Sequence, residues 1–130
     1  MKITLQKAIE GYVSCNNLIK KSFSAKTAIK LLRLQKELEN FYNSFNEVKD
    51  STILKYAIKD ENGEPKIETL EEGKTFVPVA PENRDKCTKE LNEALEEEVD
   101  ISDITFKAED FGEDLIVVEE LIGLLPFIVE

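Results

Sequence analysis

Acidic side chains are the most numerous candidates for chemistry in this 130-residue chain, with 27 Asp and Glu against 17 Lys and Arg and a net charge of −10. Glu96, Glu97, Glu98, Asp100 and Asp103 crowd together and carry the oxygens that hold Mg²⁺ or Ca²⁺. A metal site needs those oxygens to converge, whereas consecutive helical residues point about 100° apart, so the cluster reads as an exposed acidic helix end. Asp60-Glu61-Asn62-Gly63-Glu64 opens like a calcium loop with Glu71 at its twelfth place, but Pro65 stands sixth, where the sharp turn needs glycine. No metal is expected. Nor is a cofactor, because the chain has no Gly-rich phosphate loop, nucleophile elbow or dinucleotide fingerprint.

Nucleophilic chemistry fares no better. Cys15 and Cys87 stand far apart with no partner at metal-ligand spacing, and read as small buried apolar residues. Histidine is absent, which removes the commonest general base, any His-dependent triad and most catalytic zinc sites. Paired carboxylates need no proximity in sequence, and 27 acids single out no pair. The chain reads as a protein that is not an enzyme.

Charge is unevenly distributed. Residues 1–60 carry 11 basic and 6 acidic side chains, and residues 61–130 carry 6 and 21. The halves are expected to attract each other within one fold or across a dimer. The alternative is that the acidic half imitates nucleic acid toward a basic partner protein. Lys20, Lys21, Lys26, Lys30, Arg33 and Lys36 form the one positive cluster. A chain with pI near 4.6 lacks the long-range attraction of a nucleic-acid binder, so these cations are expected to meet the acidic half instead.

The elements that must position these residues are mainly helical. Leu31, Leu34, Leu38, Phe41, Phe45 and Val48 recur at alternating spacings of three and four, an a/d seam that predicts one long helix from Ser24 to about Lys59. An earlier helix capped by Thr4 carries Leu5, Ile9, Tyr12 and Ile19 on one face and should end at Lys20-Lys21. The connector Ser22-Phe23-Ser24 is short enough to fold the two back as an antiparallel hairpin. Helix one reaches about half of helix two, so Phe41, Tyr42, Phe45 and Val48 need other cover. That cover would come from the C-terminal segments or from a second copy of the chain.

Around residues 51–58 helical phase competes with a hairpin signal at Asn62-Gly63, and helix is preferred. Residues 60–80 read as a loop or insertion with at most one short strand near Lys66-Ile67-Glu68 and an extended Phe76-Val77-Pro78-Val79. Pro81 starts a third helix over 82–98, whose narrow stripe is Cys87, Leu91, Ala94 and Leu95. Val99, Ile101, Ile104 and Phe106 alternate with a slip at Ser102-Asp103, which predicts a strand with a bulge or bend. A terminal helix follows, capped by Asp114. Leu115, Val118, Leu121 and Leu125 lie on one face and Ile116, Val117, Ile122 and Leu124 on the other, with Pro126 stopping or kinking it before Phe127.

The expected fold is therefore mainly α (α+β), a single domain over 1–130. It comprises a helical hairpin (1–59), the loop or insertion (60–80) and an acidic helix-strand-helix (81–130), with one to three short strands in all. At this size it can bury roughly two thirds of its unfolded surface without a disulfide or metal staple. No membrane span and no signal peptide is read, which places it in a cytoplasm.

Met1-Lys2-Ile3-Thr4-Leu5, Ala25-Lys26-Thr27-Ala28, Lys55-Tyr56-Ala57 leading to Asp60-Glu61-Asn62-Gly63, Leu91 to Val99, and Leu124-Leu125-Pro126-Phe127-Ile128 follow one another in an order that carries a resemblance. The chain resembles a domain of unknown function found in small acidic proteins of tailed phages and prophages of Gram-positive bacteria, with Gly73–Pro81 as an insertion. The resemblance implies a phage protein, in the host cytoplasm or on the virion, and supplies no catalytic residues. The combined expectation is an interaction protein that either inhibits a host defence protein or serves as a virion or assembly accessory. Its partner, a host or phage protein or a second copy, should be met by Phe41, Tyr42, Phe45, Val48, Ile122, Leu124 and Phe127.

Overall fold

The computed structural model describes residues 1–112 and 118–129, with the backbone alone for Val118 and Glu119. It is mainly α with some β, and the chain forms two compact units, one of residues 1–43 with 96–130 and one of residues 44–95. The boundaries fall inside the long helix and at the end of the third helix.

The first unit opens with a strand that the sequence pattern did not announce, β1 (Lys2–Thr4). It pairs antiparallel with β4 (Glu98–Asp100), setting Ile3 opposite Val99 and Thr4 opposite Glu98. Helix α1 (Leu5–Leu18) follows at once, with the Thr4 hydroxyl accepting from the Lys7 amide at 3.2 Å as the cap rule requires. It stops two residues short of Lys20-Lys21. Asn16 instead accepts a hydrogen bond from Gln35 across the hairpin, and Lys21 pairs with Glu120 at 3.3 Å.

Phe23 anchors the connector by an edge-to-face contact with Phe111, and Ser24 caps α2 (Ala25–Lys55) through the Thr27 amide. Tyr12 lies against Tyr42 with ring centroids 4.5 Å apart, while Asn16 meets Gln35, so α1 and α2 run antiparallel. Leu31, Leu34 and Leu38 are fully buried at the centre of the core with Ala8, Cys15 and Leu18. Complete burial of one such leucine is worth about 2 kcal/mol.

Beyond β4 the slip in alternation is a sharp bend. The Ile104 amide donates to Ser102 C=O, after which Ile104 and Phe106 return to the core. Strand β5 (Phe106–Lys107) pairs in parallel with β6 (Ile128–Val129), with Phe106 opposite Ile128. Parallel pairing requires a long crossover, here a 3-10 turn at Ala108–Phe111, helix α4 (Val118–Leu121) and a 3-10 segment, Ile122–Phe127, that contains Pro126. Asp114, Leu115, Ile116 and Val117 lie outside the described residues, as does the Val118 side chain. Leu124 and Phe127 point inward and have no exposed surface.

Helix α1 admits a close approach. A β-carbon on Gly11 would lie 2.9 Å from Phe127 Cε2 and 3.0 Å from Leu38 Cδ1; one on Gly123 would lie 2.2 Å from the Glu10 carbonyl oxygen. The two glycines let the terminal 3-10 segment lie directly on α1.

In the second unit α2 ends at Lys55, so helix prevails over hairpin through residue 55. The hairpin then forms directly after it, where the Asn62-Gly63 signal lies: Asp60 accepts from the Asn62 and Glu64 amides and Gly63 takes φ +80°. This turn also accounts for the acidic run at 60–64, whose first carboxylate is occupied by backbone amides. Strands β2 (Glu68–Thr69) and β3 (Thr75–Phe76) make a second small hairpin, with Glu68 opposite Phe76. Residues 56–58 pair with 78–80 through Ile58 to Pro78 C=O and Ala80 to Tyr56 C=O. A 3-10 turn from Pro81 leads into α3 (Arg84–Leu95), which ends before the acidic run Glu96–Glu98.

Candidate functional site

The second unit buries little. Its fully covered side chains are Thr52, Ala57, Ala80 and Cys87, all small, and its large apolar residues stay half-buried or exposed. Thr52 stands on the seam, and its hydroxyl donates to Val48 C=O at 2.7 Å, which satisfies it without a partner side chain. The seam therefore turns polar beyond Val48.

Leu54 and Phe76 are 43% and 40% exposed, and they line a groove of about 450 Å³ with Ile53, Val77, Lys49 and Asp50. At 100° per residue, Lys49, Asp50, Ile53 and Leu54 lie on the side of α2 away from the seam. Strand β3 supplies the opposite wall. Leu70, half exposed, donates its amide to Lys74 C=O and so lies on the same face of the β2–β3 hairpin as Phe76. Ile53, Leu54, Phe76 and Val77 thus form an apolar strip flanked by Lys49 and Asp50, suited to binding an apolar side chain. The signal was present in the sequence as apolar residues 53 and 54 out of phase with the seam, and as the extended run from Phe76.

A polar cluster, also missed from sequence, ties α3 to the end of α2. Lys55 Nζ lies 2.8 Å from both oxygens of Glu90, and the Tyr56 hydroxyl donates to Glu90 Oε1. The Lys55 ammonium first, and then the Tyr56 hydroxyl, hold the Glu90 carboxyl below the usual carboxylate range. Glu90 in turn raises the Tyr56 phenol and the Lys55 ammonium above their ordinary values. A phenol held protonated is a poor nucleophile, and burial pushes the Cys15 thiol up to about 12.

The residues expected to meet a partner are divided by the structure. Tyr42 is half-buried against Tyr12 of α1 and Phe41 packs on the core, so helix one covers more of the seam than its length suggested. Phe45 is half-buried in the second unit, and Val48 is 49% exposed beside an open depression with Glu47, Ser51, Thr52 and Lys55. Ile122 is 58% exposed. Leu124 and Phe127 are core residues: the 3-10 geometry turns them onto α1, and the intact fold presents nothing of them to a partner.

The charge asymmetry is met in part within the first unit. Residues 1–43 carry 8 basic and 3 acidic side chains, residues 96–130 carry 1 and 12, and the unit joins them at a net −6. Lys21 meets Glu120, and Lys30 lies 4.0 Å from Asp110 while donating to Thr105 C=O. Glu96, Glu97 and Glu98 are exposed, and among the described residues no three His, Cys, Asp or Glu side chains are grouped to hold a metal. No helix among them is long and apolar enough to cross a membrane.

Compared with known proteins, the chain matches no protein-family model, no curated protein and no solved structure.

Proposed function

We propose that this chain is a non-enzymatic, phage-encoded protein-interaction module that docks a host or phage protein through the apolar strip of its second unit. The observation that carries the reading is the groove between α2 and β3, where Leu54 and Phe76 stay exposed in a unit whose covered side chains are all small. Exposed apolar side chains gathered into one strip cost solubility and are the mark of a binding face. A partner side chain filling the groove would bury the strip and add about 25 cal/mol per Å² of apolar surface. The partner is either a host defence protein that the module inhibits or a component of the virion or its assembly.

The partial pairing of charge supports this reading over nucleic-acid mimicry, because the acidic C-terminal segment spends part of its charge on Lys21 and on Lys30 of its own unit. The test is a tagged pull-down from infected host cells, scored by mass spectrometry, with wild type beside Leu54→Asp plus Phe76→Asp. Both residues are exposed, so the double variant should keep its circular dichroism spectrum. Loss of a stoichiometric partner that withstands about 0.5 M NaCl is the expected result, because screening is strong at that ionic strength and apolar contacts survive it. A folded double variant that retains every partner would refute the assignment of the face.

A further inference from the structure

The outer face of the first three turns of α2 has a composition unlike the rest of the molecule. Lys26, Ile29, Leu32, Arg33 and Lys36 are all exposed and, at 100° per residue, share one arc facing away from Leu31, Leu34 and Leu38. Ile29 and Leu32, 56% and 42% exposed, are flanked by the three cations. Two neighbouring lysines have found carboxylates, Lys21 on Glu120 and Lys30 near Asp110, whereas Lys26, Arg33 and Lys36 make no ion pair among the described residues. A protein of net charge −10 therefore keeps a cationic, aliphatic stripe unneutralised.

The same unit carries its complement. Glu96, Glu97 and Glu98 lead into and begin β4, are exposed, and likewise make no ion pair among the described residues, while Asp100 and Asp103 nearby hold the Met1 amine. Two stripes packed on each other would set cation against cation, so the stripe cannot be its own partner. The acidic segment of another copy meets the requirement.

We infer that the cationic stripe Lys26–Lys36 of one molecule docks the acidic segment Glu96–Glu98 of a second copy, giving a salt-sensitive self-association. The contact uses the face of α2 opposite the seam and lies outside the strip assigned to the heterologous partner.

Sedimentation velocity at 50 mM NaCl should show the mean mass climbing above the 14.8 kDa of one chain as concentration rises. Raising NaCl to about 0.5 M, where the Debye length falls to about 4 Å, should weaken the association constant at least about tenfold. The variant Lys26→Glu, Arg33→Glu, Lys36→Glu has acidic charge on both faces, and Glu96→Lys, Glu97→Lys, Glu98→Lys has basic charge on both. Each alone should remain monomeric. Mixed together they are complementary at both contacts and should associate again. A wild type that stays monomeric at millimolar concentration and low salt would overturn the inference. So would association that persists in either reversed variant, or a mixture of folded variants that does not associate.

Discussion

Replacing Gly123 by alanine puts a methyl group where a hydrogen was, in a place with no room for it. The new β-carbon would sit 2.2 Å from the Glu10 carbonyl oxygen, 2.3 Å from Ser14 Oγ and 2.7 Å from the Glu10 carbonyl carbon. Two of those atoms belong to the backbone of α1, held by the helical hydrogen-bond ladder, so the 3-10 segment must lift away. Lifting it disturbs Leu124 and Phe127, both fully buried beside the clash. Overpacking costs about 1–3 kcal/mol when side chains can yield, and a clash with backbone belongs at or above the top of that range.

Gly11→Ala is the internal control. Its β-carbon would crowd side-chain tips, Phe127 Cε2 at 2.9 Å and Leu38 Cδ1 at 3.0 Å, and its nearest backbone neighbour, the Gly123 carbonyl oxygen, is at an ordinary 3.4 Å. Against that strain stands a gain of about 1 kcal/mol from replacing a mid-helix glycine. Gly11→Ala should therefore lie within about 1 kcal/mol of wild type, and Gly123→Ala should be at least about 3 kcal/mol less stable. At about 4 °C per kcal/mol for a chain of this size, Gly123→Ala should melt about 12 °C lower, with a matching fall in urea midpoint. Equal melting temperatures for Gly123→Ala and wild type would refute the direct contact of α1 with the terminal segment.

Two further outcomes are expected. Glu90 has a lowered native carboxyl, so its stabilising contribution is present above about pH 4.3 and is lost as pH falls through the lower native value; the melting-temperature gap between wild type and Glu90→Gln should be widest near pH 7 and narrow as pH falls below about 4.3, and a gap independent of pH would contradict the Lys55-Tyr56-Glu90 arrangement. In urea titrations Phe127→Ala should cost about 3–5 kcal/mol and Ile122→Ser no more than about 0.5, since one is core and the other surface; the reverse order would mean that the terminal segment is turned the other way.

The helical frame was legible because its signals are local. Thr4 and Ser24 cap the helices that their positions predict, and the spacing of Leu31, Leu34 and Leu38 gives the buried face of α2 directly. The same logic failed where the partner is distant in sequence. Nothing in Lys2-Ile3-Thr4 announces a strand, because three residues are too few for a period and the pairing residues lie near position 99. Leu124, on the second apolar face of the expected helix, and Phe127, beyond Pro126, were expected to meet a partner, and a 3-10 segment with three residues per turn sets both in the core. The candidate strip was half legible: Leu54 stands out of phase with the seam, but only the return of residues 75–77 to its side makes a groove.

The pairing of residues 2–4 with 98–100, and of 106–107 with 128–129, also sets the order of assembly during synthesis. Residues 44–95 are contiguous in the sequence, whereas the first unit lacks β6 and the 3-10 segment that lies on α1 until residues 122–129 have been made. Until then Leu124 and Phe127 are missing from the core around Leu18, Leu31, Leu34 and Leu38. A nascent chain held at that stage has its core only partly covered, so its hazard of aggregation is greatest before that segment has emerged.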